Sequence, residues 1–334
     1  MVRKTNRMGK RYSVILCFLA GLLLSAVPAR AQVASLDMTL GSPRYYNTEV
    51  LGAASAGYLP DNPAVMSWVS TSLVGGGSIS GARESVSHGS SQKYQGGHYG
   101  FRWNMGELVL GYEAINFTIG FETAQFSHDK RNLTFSTAPY EWLSVGLSYA
   151  DTDLVADLDT GKTDYRERSL TYSTSMKFGD SFYLGLGMFD DRFSSYDGTV
   201  HQVAERGGSM VGLAYFGGGK PFLLHVEYSA INRGEYVTID DQLLGGDFSR
   251  SMYTLEATYN LFLFGYSGYT LKRPSQDLET RGFTANVGYY QAGGVGVSLQ
   301  REFNETRVVD LFDKEGITSI TLSFQFGGET KLSL

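Results

Sequence analysis

The sequence predicts an all-β protein, a transmembrane antiparallel β-barrel of about 14 strands with a small N-terminal hatch segment inside its lumen. Three observations predict it. An export signal opens the chain, short segments of alternating polarity rich in Gly and aromatics fill it, and short and long connections take turns along it.

The signal comes first. Arg3, Lys4, Arg7, Lys10 and Arg11 precede an apolar run from Ser13 to Val27, and Ala29-Arg30-Ala31 has the small-x-small form of a cleavage site. Residues 1–31 therefore read as a cleaved signal peptide that directs the chain to the outer membrane of a Gram-negative-type bacterium. The only cysteine, Cys17, lies inside it, so the exported chain has no disulfide to brace it. Removal of the signal leaves 22 basic residues against 34 acidic ones, with no basic cluster, which excludes nucleic acid as a partner.

The strands follow. With 41 Gly, 22 Tyr and 20 Phe in 334 residues, alternation recurs in segments near 69–82, 97–104, 108–126, 132–137, 142–151, 168–178, 182–192, 207–216, 221–230, 250–259, 261–272, 282–290, 295–303 and 320–326. Leu170, Tyr172, Met176 and Phe178 alternate with Ser169, Thr171, Ser173 and Lys177; Phe283, Ala285, Val287 and Tyr289 alternate with Thr284 and Asn286. Most segments are near the ~9 to 11 residues that a tilted strand needs to cross a bilayer. The last, with Ile320, Leu322, Phe324 and Phe326 on one face, resembles the closing strand by which the barrel assembly machinery recognises its clients. Residues 327–334 form a short tail on the periplasmic side.

The connections sort by length. Short ones fall at residues 104–106, 138–139, 179–180, 217–220, around 260, and at 292–294. Between them lie polar stretches at 83–96, 127–131, 152–167, 193–206, 231–249, 273–281 and 304–315. Tight periplasmic turns opposite free outer loops produce this alternation, whereas a soluble sandwich has no reason to sort its loops. Pro139, Pro221 and Pro274 all fall in connections, as expected for a residue that cannot donate to a ladder.

Residues 32–68 stand before the barrel (69–326) and do not read as strand. The run LGAASAGYLPDNPAVMSWVS is rich in small residues and broken by Pro60 and Pro63. Fourteen strands enclose more space than side chains fill, and this segment is the candidate occupant. Gly52, Ala53, Ala54, Pro60, Asp61, Asn62, Pro63 and Ala64 resemble the N-terminal region of the FadL family of outer-membrane transporters. That resemblance implies a fourteen-stranded barrel, an N-terminal hatch carried here by Pro60, Asp61, Asn62, Pro63 and Ala64, and cargo that is fatty acid or another hydrophobic compound. From the residues alone, Asp61–Ala64 is either a plug contact or a plain turn that starts a helix.

One stretch, ELVLGYEAINFTIGFET (residues 107–123), breaks its own pattern. Leu108, Leu110, Tyr112 and Ala114 occupy even positions, then Ile115, Phe117, Ile119 and Phe121 occupy odd ones. A β-bulge around Ala114, Ile115 and Asn116 explains the slip; so do two short strands joined by a tight turn. Residues 108–126 form the third segment, and the family resemblance implies a wall opening in that strand, which makes Ala114–Asn116 the expected lateral exit for a substrate passing into lipid.

Catalytic and metal chemistry are not expected. Of the histidines, His88, His128 and His201 fall in loops, while His225 shares a strand face with Glu227. That pair is expected to line a hydrated lumen, since no nucleophile accompanies it. The acidic stretch 151–164 offers oxygen ligands of the kind calcium takes, but not at EF-hand spacing. No cofactor motif is present, and the expected function is a conduit for hydrophobic small molecules. The alternatives are a barrel that docks other proteins in secretion or structure, and a diffusion porin for small solutes.

Overall fold

The computed structural model describes residues 62–68, 72–85, 90–120, 124–158, 161–179, 181–196, 201–219, 222–238, 243–245, 247–259, 262–273, 278–290, 295–308 and 311–326. The signal peptide, residues 32–61 with Pro60 and Asp61, and the tail 327–334 lie outside the described residues.

Alternating polarity becomes strand nearly everywhere. In order these are β1 (Ser72–Ser85), β2 (Ser90–Asn104), β3 (Leu108–Gly120), β4 (Ala124–Tyr140), β5 (Leu143–Leu158), β6 (Gly161–Phe178), β7 (Phe182–Tyr196), β8 (His201–Gly219), β9 (Phe222–Arg233), β10 (Tyr236–Thr238), β11 (Leu243–Gly245), β12 (Phe248–Tyr259), β13 (Phe262–Arg273), β14 (Leu278–Tyr290), β15 (Val295–Val308) and β16 (Leu311–Phe326). Each long strand pairs antiparallel with the next, β9 passing directly to β12. Two pairings close the ring: β1 with β16, from Ser72↔Phe326, and β8 with β9, from Gly208↔Arg233 to Gly219↔Phe222. The fourteen long strands thus form a continuous cycle, and β10 and β11 are a small hairpin laid on the far end of β8.

Tight turns gather at one end. Between β2 and β3, Gly106 takes φ 89, where only glycine is unstrained; its N–H donates to Asn104 Oδ1 at 2.8 Å while Met105 N–H donates to Leu108 O at 2.9 Å. Gly179, with φ 62, does the same work after β6. Ser72 and Phe326 face each other at this end, so the barrel starts and finishes beside its short turns.

The outer face carries a belt of exposed apolar side chains. Phe178, Phe182, Leu213, Tyr215, Val226, Tyr228, Tyr253, Leu255, Phe264 and Tyr266 are all exposed, far beyond what a water-facing surface tolerates as one patch. The alternate positions are buried, and on β4–β6 they are mostly small or polar: Thr134, Ser136, Ser144, Ser148, Thr171, Ser173 and Ser175. This inversion, apolar outside and polar inside, is the arrangement a bilayer imposes. No helix among the described residues is long and apolar enough to cross a membrane.

Four expectations are corrected. The strands run to 12–19 residues in the barrel rather than about 10, because polar stretches read as loops extend the strands. Residues 127–131 lie within β4, residues 152–158 and 161–167 within β5 and β6, and His128 and His201 on strands. Charge on the outer face, and in 127–131 and 161–167 on both faces, hides the apolar-out alternation, but the ladder continues. Pro139 lies inside the span of β4, at a register irregularity between Thr137 and Tyr140, a place where the missing N–H does no harm.

The fourth correction concerns Ala114, Ile115 and Asn116. β3 ends at Gly120, and it pairs without a register shift from Asn104↔Val109 to Lys93↔Gly120 on one side and from Leu108↔Thr137 to Gly120↔Gln125 on the other. No bulge and no turn occurs at Asn116, and the wall there has no break for a lateral exit. What changes is the surrounding medium. Outward-facing Tyr112 pairs with Leu133, which pairs with Tyr149, which pairs with Leu170; one step on, Ala114 pairs with Arg131, Arg131 with Asp151 and Asp151 with Arg168. The strand leaves the apolar belt between those rows. Below the boundary its apolar side is the outer one; above it, exposed Asn116 meets water and buried Ile115 faces inward.

A charge placed within the belt is therefore costly. Leu213→Arg is expected to lower folding stability in lipid by about 2 to 4 kcal/mol, against about 0 to 1 for Gln95→Arg beyond the boundary. Urea titration in bilayers measures both, and equal effects would contradict the assigned belt.

Candidate functional site

The inner wall is built from alternate positions of β4–β9, and a 3-10 helix, Pro63–Trp68, lies against it. Asn62 starts this helix: its Oδ1 accepts from Ala64 N–H at 3.0 Å, and its carbonyl accepts from Val65 N–H at 3.3 Å. Pro63 supplies a φ suited to a first turn. Asn62, Pro63 and Ala64 are thereby a turn that begins a helix and a contact with the wall at once.

The contact is specific. Asn62 Nδ2 donates to Thr174 O at 3.4 Å, Ala64 N–H also donates to Ser173 Oγ at 2.9 Å, and Ser136 Oγ donates to Ala64 O at 2.9 Å, joined by Ser144 Oγ. Trp68 Nε1 donates to Ser175 Oγ at 3.1 Å, and the hydroxyls of Ser67 and Ser136 bond to each other. Hydroxyls from three strands thus satisfy polar backbone that would otherwise be buried without partners. Gly146 makes the approach possible, since a Cβ there would stand 2.3 Å from Ala64 N and 2.4 Å from Pro63 C. Val65 packs with Tyr183 and Ala214, and Trp68 meets Tyr183 edge-to-face at 6.2 Å. Fully burying Val65 and Met66 contributes about 1.5 to 3 kcal/mol each.

Farther from the turns, Phe189, Met210 and Ile231 form a buried apolar cluster. Above it stand four charges. Asp191 Oδ2 accepts from Arg206 Nε at 2.9 Å and from Arg233 Nη1 at 2.5 Å, Arg206 Nη2 reaches Glu167 at 3.1 Å, and Arg233 reaches the same carboxylate at 3.5 Å. Ser169 Oγ donates to the other oxygen of Asp191 at 2.5 Å. Arg233 also covers the ring of Phe189 at 4.4 Å, a cation–π contact that ties the charged group to the apolar one. Two arginines against two carboxylates leave the group neutral.

Glu227 is buried on β9, and His225 occupies the same strand phase two residues earlier, its backbone paired with Phe216 and Glu256. Ile115 and Ala114 are buried; Asn116 is exposed and its Oδ1 accepts from Gly97 N–H at 3.2 Å. The structure brings Asn62, Pro63 and Ala64 together with β4–β6, but not with Ala114–Asn116 as a common site. Sequence reasoning missed the serine wall and the charged quartet. The serines are ordinary polar alternates until the helix is placed on them. The polar connections read from the sequence include Glu167, Arg206 and Arg233, although inward parity continues through Glu167, Ser169 and Thr171. Among the described residues there is no group of three or more His, Cys, Asp or Glu able to hold a metal, and in the stretch 151–164 Asp151 and Asp153 are engaged by Arg166.

No protein-family model matches the sequence, and no curated protein matches it. Solved structures do. The CymD monoaromatic hydrocarbon channel is similar with a TM-score of 0.56 at 12% identity, covering 90% of this chain and 95% of that one. The P. putida toluene transporter TodX gives 0.54 at 12%, covering 85% and 99%, and a Pseudomonas aeruginosa FadL homologue gives 0.53 at 9%, covering 89% and 100%. The chain therefore has the fold of FadL-like outer-membrane channels, as the resemblance at residues 52–64 implied.

The quartet offers a direct test of the inner wall. Asp191→Ala strips the buried Arg206 and the partly buried Arg233 of the carboxylate that holds both most closely and is expected to cost about 3 to 5 kcal/mol, whereas Asp153→Ala, on the outer face, is expected to cost less than about 1 kcal/mol. Thermal unfolding of the two variants in detergent reads the difference; equal losses would contradict the assignment of Asp191 to the interior.

Proposed function

We propose that the protein is an outer-membrane conduit for hydrophobic small molecules such as aromatic hydrocarbons or fatty acids, in which residues 32–68 act as a hatch. The observation that carries this reading is the seating of Asn62–Trp68 on the inner wall through hydroxyls and Gly146, in a barrel whose structural neighbours include channels for monoaromatic hydrocarbons. A segment held by a few hydrogen bonds to side chains can leave without disturbing the strand ladder. Phe189, Met210, Ile231 and Ile115 supply apolar contacts for a cargo that gains nothing from water.

The remaining assignments follow from this one. Export depends on the signal peptide 1–31, insertion on the barrel assembly machinery acting at the last strand, and the chain performs no catalysis. Passage runs along the lumen, since the wall at Ala114–Asn116 is continuous. Glu227, and His225 with it, belong to the polar lining rather than to a reaction centre.

Uptake of labelled toluene and of labelled oleate, measured in cells with and without the gene, tests the conduit. Faster uptake with the gene, altered when residues 51–64 are deleted, is expected; equal rates in every strain would sink the transport reading. The hatch has its own test in Gly146→Val, whose added methyls collide with Pro63 and Ala64. In a chain carrying Trp68 as its only tryptophan, emission is expected to shift to the red and single-channel conductance to rise. A variant with unchanged emission and conductance would show that the seat is not what holds the segment.

A further inference from the structure

The outer face holds a second feature that the conduit does not use. On β6 and β7 the last outward apolar positions include Leu170, Tyr172, Leu186 and Met188. One step farther from the turns on β6 stands Arg168, directly opposite Arg192 of β7. Like charges at opposed positions of an antiparallel pair repel, and nothing in the strand pairing requires them. Both side chains are about half exposed, at 48% and 59%. Each has one carboxylate near it, Asp151 at 3.7 Å from Arg168 and Glu205 at 3.9 Å from Arg192, beyond hydrogen-bond reach. Neither guanidinium donates a hydrogen bond among the described residues. Asp151 is committed elsewhere, accepting two N–H bonds from Arg166, which also lies 3.5 Å from Asp153.

Two adjacent forks of N–H donors that share no acceptor match the oxygens of a phosphate, which guanidinium binds in bidentate fashion. Their height on the barrel decides what carries that phosphate. Below them, directly under Arg168 on β6 and past Asp190 on β7, runs the apolar strip of Leu170, Tyr172, Leu186 and Met188, so polar head and apolar tail positions follow each other along the wall as they do in an amphiphile. A free phosphate ion would use only the upper half. We propose that Arg168 and Arg192 bind the phosphate of a lipid in the outer leaflet, whose acyl chains lie along that strip. Asp190, exposed on β7 one step nearer the membrane and opposite Leu170, opposes the phosphate and moderates its affinity. The site rests on the barrel being embedded in a bilayer and is independent of what passes through the lumen.

The test uses the full exported chain in phosphatidylcholine nanodiscs doped with diphosphoryl lipid A, with lipid A retained per barrel counted by mass spectrometry after exchange into lipid A-free discs. Heat-modifiable migration on gels reports barrel insertion separately, so a chain that fails to insert is recognised as such. Each of Arg168→Gln and Arg192→Gln is expected to lower retention about five-fold, Asp190→Asn to raise it, and Arg131→Gln, whose arginine is already paired with Asp129 at 2.7 Å, to leave it unchanged. Equal retention by an inserted double variant would overturn the site. So would a loss of the same size in Arg131→Gln, or displacement of lipid A by millimolar inorganic phosphate, which would assign the arginines to a soluble anion.

Discussion

Backbone polarity inside a membrane governs this molecule. Lipid offers no partner to a peptide N–H or C=O, and each orphan costs several kcal/mol, so a spanning sheet must have no edge. The pairings of β1 with β16 and of β8 with β9 meet that demand, and they brace a chain whose single cysteine can form no internal disulfide. Closure by β8 and β9 also dictates the detour of residues 234–247. These residues leave β9 and return as β12, its neighbour on the other side, while the short β10 and β11 add to β8 only beyond the stretch where β9 occupies it.

Once the backbone is satisfied, side chains are free to answer to whatever medium they meet, and there are three. The belt meets lipid and is aromatic and aliphatic. The outer face beyond the belt meets water and headgroups, and carries rows of charge such as Arg131, Asp151 and Arg168. The inner face meets other protein groups, where hydroxyls seat a helix and arginines meet carboxylates. A single strand passes through more than one of these zones, so one alternating pattern cannot describe its full length.

This is why the barrel was readable in the sequence while much of the site was not. Alternation within the belt located all fourteen strands, and the resemblance at residues 52–64 pointed to the family whose fold the structure shares. The reading failed where strands leave the lipid. There the outer face turns polar, as in Asp151–Leu158, where Leu154 is buried on the inner side, or both faces carry charge, as in Gly161–Glu167, so the belt's apolar-out period no longer applies although the hydrogen-bond ladder is intact. The parity slip in β3 is the same effect in its plainest form. Ile115 and Asn116 keep the strand phase of Val109 and Leu110; only the surroundings of the outer face change. Gly146 and the serines around Ala64 were invisible for a different reason, since a small residue at an inward position is informative only when something is known to approach it.

The interior has a logic that suits apolar cargo despite its charges. A lone buried charge would keep water with it and hydrate the path. Glu167, Asp191, Arg206 and Arg233 instead neutralise one another through direct bonds, and Arg233 stands over the ring of Phe189. The quartet therefore presents little uncompensated field to the apolar cluster of Phe189, Met210 and Ile231 beneath it. Gathering these four charges in one neutral knot fixes the strands there and leaves the neighbouring apolar cluster poorly wetting, as the proposed passage of a hydrophobic molecule requires, while Arg102, Glu113, Glu227 and Arg250 are buried elsewhere in the wall. The seat of the 3-10 helix obeys the same economy: the hydroxyls of Ser136, Ser144, Ser173 and Ser175 are spent on Ala64 and Trp68.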